Sequence, residues 1–176
     1  FDIVAVALDA FYDEVEVSVK NGRGDIRVTL VEGPYSSRVD PEKNTAIEAL
    51  KYIISKYDLK VDVELKIWKG IPVGLGLGSS GATAAASVKA LSELLGAPSS
   101  IEELIEAAGE GERVSAGEPH YDNVSASVLG GLVLLYSTKP LRVASFKIGG
   151  CFVLGIPLVK TPENKTKLMR SVLPRK

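Results

Sequence analysis

The sequence predicts an α+β fold in which strands of alternating polarity and capped, one-sided helices surround a glycine-rich turn. Val15, Val17 and Val19 alternate with Glu14, Glu16 and Ser18, and Val61, Val63, Leu65 and Ile67 alternate with Asp62, Glu64 and Lys66. That period of two marks half-exposed strands. Ala84, Val88, Leu91 and Leu95 recur at spacings of four, three and four, the stripe of a helix buried along one face. Between the second strand and that helix runs Pro72-Val73-Gly74-Leu75-Gly76-Leu77-Gly78-Ser79-Ser80-Gly81.

The remaining elements follow in chain order. Ile3 to Leu8 is an unbroken apolar run, the pattern of a buried strand. Asn21-Gly22 ends the strand after it, and Ile26 to Val31 supplies the next. Asp40-Pro41 is expected to open a helix, with a cap residue followed by proline at the first helical position; Ile47, Leu50 and Ile54 form its apolar stripe, and Asn44 and Thr45 lie in its first turns. Trp68-Lys69, at the end of the strand that leads into the glycines, either flanks a ligand or packs. Gly96 and Pro98 stop the alanine-rich helix, and Ser100 with Glu103 forms a capping box for another that carries Leu104 and Ala108. From Cys151 to Pro157 a further buried strand is expected. Punctuation by Ile148-Gly149-Gly150 divides the chain into residues 1–148 and 149–176.

Composition narrows the function. At 176 residues and 45% hydrophobic content, the chain is long enough for one full domain or one domain plus part of another. A net charge of −1 with no basic run leaves no electrostatic footprint for nucleic acid or an anionic membrane. The most apolar region, Ile71 to Leu95, is broken by glycines, a proline and polar residues, so no membrane span is expected. The one cysteine, Cys151, excludes an internal disulfide and suits a cytoplasmic location.

Glycines at alternate positions let a backbone adopt positive φ and turn consecutive N–H groups onto an anion, and a helix that starts there adds its own unsatisfied amides and positive dipole end. Gly74, Gly76 and Gly78 are so spaced. Ser79 and Ser80 can cap that helix, bond a phosphate oxygen or ligate a magnesium ion. A plain tight turn remains the alternative. The stretch lacks the Gly-Lys-Ser/Thr ending of a Walker A loop and the G-x-G-x-x-G spacing of a dinucleotide fingerprint. A second polar cluster, Ser115 to Val124, holds the only histidine, His120, with Asp122 and Asn123 just before Leu129-Gly130-Gly131. Its mixture of donors and acceptors suits a small polar ligand. Upstream of it, Glu110 and Glu112 compete for the role of a hard-oxygen metal ligand.

Pro72, Gly76, Leu77, Gly78, Ser79 and Ser80 match the pattern P-x-x-x-G-L-G-S-S-A, with Gly81 where alanine is usual. This resembles the second motif of the GHMP kinases, the group of galactokinase, homoserine kinase, mevalonate kinase and phosphomevalonate kinase. His120-Tyr121-Asp122-Asn123-Val124 is most similar to the homoserine kinase branch, as is Thr166-x-x-Met169-Arg170-x-x-Leu173-Pro174, where Met169 replaces the usual alanine. Phe1-Asp2 resembles the tail of the first motif.

The resemblance implies a GHMP kinase fold: an N-terminal domain like the second domain of ribosomal protein S5, with a left-handed βαβ crossover, then the start of a ferredoxin-like C-terminal domain. It also implies that the rest of the first motif and the whole third motif lie outside the chain, in a protein of nearly twice the length. The implied activity is ATP-dependent phosphorylation of the hydroxyl of L-homoserine, a step towards threonine. Implied nucleotide contacts are Asn44 at the base and Pro72, Gly74, Gly76, Leu77, Gly78, Ser79 and Ser80 at the phosphates. Mg²⁺ would sit between Ser80 and Glu112, the glutamate eight residues before His120. Asp2, His120, Asn123, Thr166 and Arg170 would form the acceptor pocket, with Asn123 facing the hydroxyl and Asp122 the base by analogy with mevalonate kinase. The expected partners are ATP and homoserine, with a homodimer open as the assembly. Mevalonate or shikimate phosphorylation, and a non-catalytic nucleotide-binding module, stand as alternatives.

Overall fold

The computed structural model describes residues 3–97 and 100–156 of the chain. Asp2, Thr166 and Arg170 lie outside the described residues. Among the described residues, two three-stranded sheets form. In the first, β2 (Asp13–Asn21) runs antiparallel to β4 (Val61–Lys69), and β3 (Ile26–Glu32) runs parallel to β4 on its other side. In the second, β5 (Leu132–Thr138) pairs antiparallel with both β1 (Ile3–Val6) and β6 (Leu141–Phe146). The helices are α1 (Thr45–Lys56), α2 (Ser79–Leu95), α3 (Ile101–Gly111), the single turn α4 (Arg113–Ala116) and α5 (Asp122–Leu129). The parallel pair β3 and β4 is joined through α1, a βαβ unit. Among the described residues, no helix is long and apolar enough to cross a membrane.

Helix α2 is the hub, packed against β2, α1, α3 and α5. Its buried residues are mostly small, including Gly81, Thr83, Ala84, Ala85 and Ser87, which lets four neighbours approach one helix closely. Larger side chains come from those neighbours: Leu50 and Ile53 of α1, Leu65 and Ile67 of β4, and Ile105 of α3 are all at most 2% exposed. Each contributes about 1.5–3 kcal/mol by leaving water. The alternation along β2 and β4 appears as expected, with the valines inward and Glu14, Glu16, Glu64 and Lys66 outward. Gly96 caps α2 in the left-handed conformation, and Ser100 Oγ accepts from the Glu103 N–H at the start of α3.

Two expectations need correction. The helix does not open at Asp40-Pro41: Asp40 Oδ1 accepts from the Glu42 N–H at 3.0 Å, closing a local turn, and α1 begins only at Thr45 with Asn44 as its N-cap. An Asp-Pro pair starts turns as readily as helices, because an aspartate side chain bonds its own backbone two residues on. The strand expected at Cys151 to Pro157 is also absent over 151–156, where the backbone is irregular and Phe152 and Val153 are exposed. An apolar run becomes a strand only beside a partner, and among the described residues none lies alongside.

Candidate active site

The sheet delivers the chain to the glycine loop. β4 ends at Lys69, the backbone turns over residues 73–76, and α2 starts at Ser79. Gly74, Gly76 and Gly78 have φ of 81°, 82° and 72°, the left-handed region that a side chain strains. Pro72 is buried at the base of the loop, whereas Gly74 and Gly76 are exposed at its tip. The N-cap of α2 is Gly78, which offers no side-chain acceptor to the first-turn amides. A long helix with an uncapped, glycine-lined N-terminus offers an anion unsatisfied amides and the positive end of the helix dipole.

Three other helix ends meet the start of α2. Thr45 Oγ1, in the first turn of α1, donates to the Ser80 carbonyl at 2.9 Å, while buried Asn44 uses Oδ1 to accept from the Ala46 N–H at 2.9 Å. The last turn of α3 abuts the same point, since a Cβ on Gly111 would lie 2.4 Å from the Thr45 carbonyl oxygen. That contact brings Glu112 beneath the loop. Ser80 Oγ donates to Glu112 Oε2 at 3.1 Å, and Glu112 is only 7% exposed. Glu110 points elsewhere and pairs with Arg113 at the surface, so of the two glutamates it is Glu112 that lies against Ser80. A hydroxyl beside one carboxylate fits Mg²⁺, which takes hard oxygens, keeps waters and shares substrate phosphates, and so needs few protein ligands.

Helix α5 closes the other side. Cβ atoms built on Gly78 and Gly81 would lie 3.1 and 3.2 Å from the Asn123 side chain, so that carboxamide rests directly on the last turn of the loop. Asp122 is turned to its own helix start, where its Oδ1 accepts from the Asn123 N–H at 2.8 Å. His120 is half-buried two residues before α5, with its carbonyl oxygen against Gly109. Glycine at 81 therefore sets how closely Asn123 approaches the loop. Gly81→Ala is expected to raise helix stability by roughly 0.5–1 kcal/mol yet lower kcat severalfold. Val124 is fully buried and cannot yield, so Asn123 must shift. Thermal melts paired with steady-state kinetics check this, and a fall in both would point instead to general overpacking.

A buried polar cluster under the loop escaped the sequence reading. Asp13 opens β2 directly opposite Lys69, and the two form an ion pair whose side chains are 0% and 4% exposed. Ser79 Oγ donates into this cluster, to Asp13 Oδ2 at 3.3 Å. The Ser79 hydroxyl thus faces inward, so that of its polar groups the backbone amide is what remains for an anion at the helix end. Burial pushes the Lys69 ammonium below the ordinary lysine value, while Asp13 and, more weakly, Glu112 draw it back up. On the opposite face of β4, Trp68 packs on Tyr12 with ring centroids 5.5 Å apart.

The family model for the N-terminal domain of GHMP kinases matches residues 44–131, half of the chain. The homoserine kinase of Aeropyrum pernix is 45% identical over 99% of this chain and 56% of that protein. That of Thermoplasma acidophilum is 46% identical over 99% of this chain and 54% of that protein. The chain thus spans about half the length of the curated relatives it matches. The crystal structure of homoserine kinase from Cytophaga hutchinsonii aligns with a TM-score of 0.73 at 30% identity, over 93% of this chain and 52% of that one. A mevalonate kinase from L. major, in complex with R-mevalonate, aligns at a TM-score of 0.63 and 19% identity over 82% of this chain and 45% of that one, a likeness of fold alone. The matched span begins at the Asn44 cap, contains the glycine loop, Glu112 and Asn123, and ends at Gly131; the chain belongs to the GHMP kinase family, through its N-terminal domain.

Proposed function

We propose that the chain carries the nucleotide site of a kinase that transfers the γ-phosphoryl group of ATP to the side-chain hydroxyl of L-homoserine. The observation that carries this reading is the meeting of Ser80 and Glu112 beneath an uncapped helix end, with Asn123 held against the same loop. The homoserine kinase relatives support the choice of acceptor.

Phosphoryl transfer asks a protein mainly for position and charge. The amides of Gly76 to Ser80 and the α2 dipole would hold the β- and γ-phosphates. Ser80 Oγ and Glu112 would hold Mg²⁺, which when bound neutralises phosphate charge. The acceptor oxygen forms its bond to phosphorus as the bond to the bridging oxygen of ADP breaks, and the hydroxyl proton passes to an oxygen of the transferred phosphoryl group and from there to water. Asn123 orients that hydroxyl through its carboxamide, which cannot take a proton at neutral pH. Asp122, committed to its helix start, is the weaker candidate for the reacting group. His120, together with Asp2, Thr166 and Arg170, would complete the pocket for the amino acid's ammonium and carboxylate, for which a guanidinium fork is suited. Asn44 keeps its amide nitrogen as a donor to the base, since its Oδ1 is taken by the cap. The same reading puts the enzyme in the cytoplasm, leaves a homodimer open as its assembly, and starts its second domain at residue 149, just after β6.

The test is ADP release by the full-length enzyme with Mg-ATP and, in turn, L-homoserine, mevalonate and shikimate. Turnover with homoserine alone is the expected result. A preference for mevalonate or shikimate overturns the acceptor assignment, and tight ATP binding without turnover of any of them replaces the kinase with a non-catalytic nucleotide-binding module.

A further inference from the structure

The transfer step leaves Asp13 and Lys69 without a role, yet they form the most deeply buried ion pair among the described residues. Their bonds have a pattern. Asp13 Oδ1 accepts from the Gly70 and Ile71 N–H groups, both at 3.0 Å, which lie where the chain leaves β4 for the glycine loop. Asp13 Oδ2 accepts from Thr83 Oγ1 at 2.8 Å and from Ser79 Oγ at 3.3 Å, on the first two turns of α2 where the loop returns. Lys69 Nζ donates to the Ser79 carbonyl at 3.2 Å and to Thr83 Oγ1 at 2.6 Å. One carboxylate and one ammonium therefore grip both ends of the loop.

We infer that the Asp13–Lys69 pair, with Thr83, is a positioning device for the phosphate loop: it fixes the spacing between the loop's two ends and so the aim of the amides from Gly76 to Ser80. The physical case rests on what the loop lacks. Three glycines at positive φ carry no side chains to pack, and glycine backbones have the most freedom to lose. Apolar contacts at the loop's base, such as buried Pro72, resist separation but are not directional. Hydrogen bonds to both flanks from rigid, buried groups fix distance and angle. A buried ion pair is poor evidence of added stability, because desolvation offsets the attraction, so its placement under this one loop calls for a geometric role. The pair is also neutral as a unit, so it adds no net charge beneath the loop.

That these amides serve a phosphate rests on the kinase reading; that they are held by Asp13 and Lys69 does not, and the experiment separates the two. In the full-length enzyme, Thr83→Val removes the hydroxyl that makes the shortest bonds from α2 to both members of the pair while keeping its shape, leaving only the longer contacts through Ser79, and Thr83→Ser keeps the hydroxyl. Asp13→Asn combined with Lys69→Met removes both charges and leaves no buried ion unpaired. Amide hydrogen exchange is measured over residues 70–80 and over α3, together with the dissociation constant for Mg-ATP. Expected for Thr83→Val and for the double variant is exchange at least tenfold faster in the loop with α3 unchanged, Mg-ATP binding weakened at least tenfold, and parental behaviour in Thr83→Ser. Parental loop exchange in Thr83→Val overturns the inference, as does acceleration spread equally over α3, which marks a merely structural pair. If the double variant does not fold, the Thr83 pair of variants decides. Faster loop exchange with unchanged Mg-ATP affinity keeps the positioning role and removes the phosphate from the loop, which is the failure of the kinase reading instead.

Discussion

Replacing Glu112 by glutamine is expected to lower kcat by roughly two to three orders of magnitude, the scale lost when one group facing developing charge is removed. The carboxylate is buried and accepts from the Ser80 hydroxyl, so glutamine fits its place without disturbing the junction of α1, α2 and α3. What changes is charge: a neutral carboxamide is a poor ligand for a hard divalent cation. The loss should therefore show as a much higher Mg²⁺ requirement with a cooperative melt kept close to the parent's. Glu110→Gln is the control, since that side chain pairs with Arg113 at the surface, and its kcat should stay near the parental value. Equal losses from the two substitutions, or an unchanged Mg²⁺ requirement in Glu112→Gln, would remove the metal from this position.

The second large effect is expected at Gly78. Alanine there must hold φ near 72°, which costs a non-glycine residue about 1–3 kcal/mol, and its Cβ would sit 3.1 Å from the Asn123 side chain. Both penalties fall on the loop and its neighbour, so Mg-ATP binding should weaken by roughly 10- to 100-fold and kcat should fall with it. Gly96→Ala separates strain from function. Gly96 has nearly the same φ, 70°, but nothing within 4 Å of the added Cβ. It should lose stability and keep its nucleotide affinity. Calorimetric titration with Mg-ATP, run beside thermal melts, tells the two apart; parental affinity in Gly78→Ala would mean that the loop does not hold the nucleotide.

Much of this site was written in local pattern. The glycine loop, its helix, the cap at Ser100 and the Gly-Gly turn after α5 each depend on neighbours within a few residues, and each stands where the sequence put it. The choice between Glu110 and Glu112 was of another kind. Spacing left both open, the family resemblance favoured Glu112, and the contact of Gly111 with the start of α1 is what sets Glu112 rather than Glu110 beside Ser80. Asn44 was singled out for a nucleotide base and proved first to be a helix cap, which Asp40-Pro41 had obscured.

Asp13 and Lys69 had a signal that went unread. Asp13 is in phase with Val15, Val17 and Val19, and Lys69 with Val63, Leu65 and Ile67. Two charges of opposite sign continue two inward-facing stripes, and such residues are buried together or not at all. Their meeting still depends on strand register, which one strand's periodicity does not contain. The second sheet was hidden for the same reason. The pairing of β5 with Ile3–Val6 closes most of the chain's length, a contact that no local pattern contains. The strand expected after Cys151 failed because an apolar run does not name its partner.

The most direct test of the account follows phosphorus itself. Full-length enzyme is incubated with ATP, Mg²⁺ and L-homoserine and observed by phosphorus NMR. The account predicts that the γ-phosphate signal declines as a phosphate monoester signal, coupled to the side-chain methylene of homoserine, grows in equal amount. Growth of inorganic phosphate alone, or an unchanged ATP spectrum while the enzyme remains folded, would contradict it.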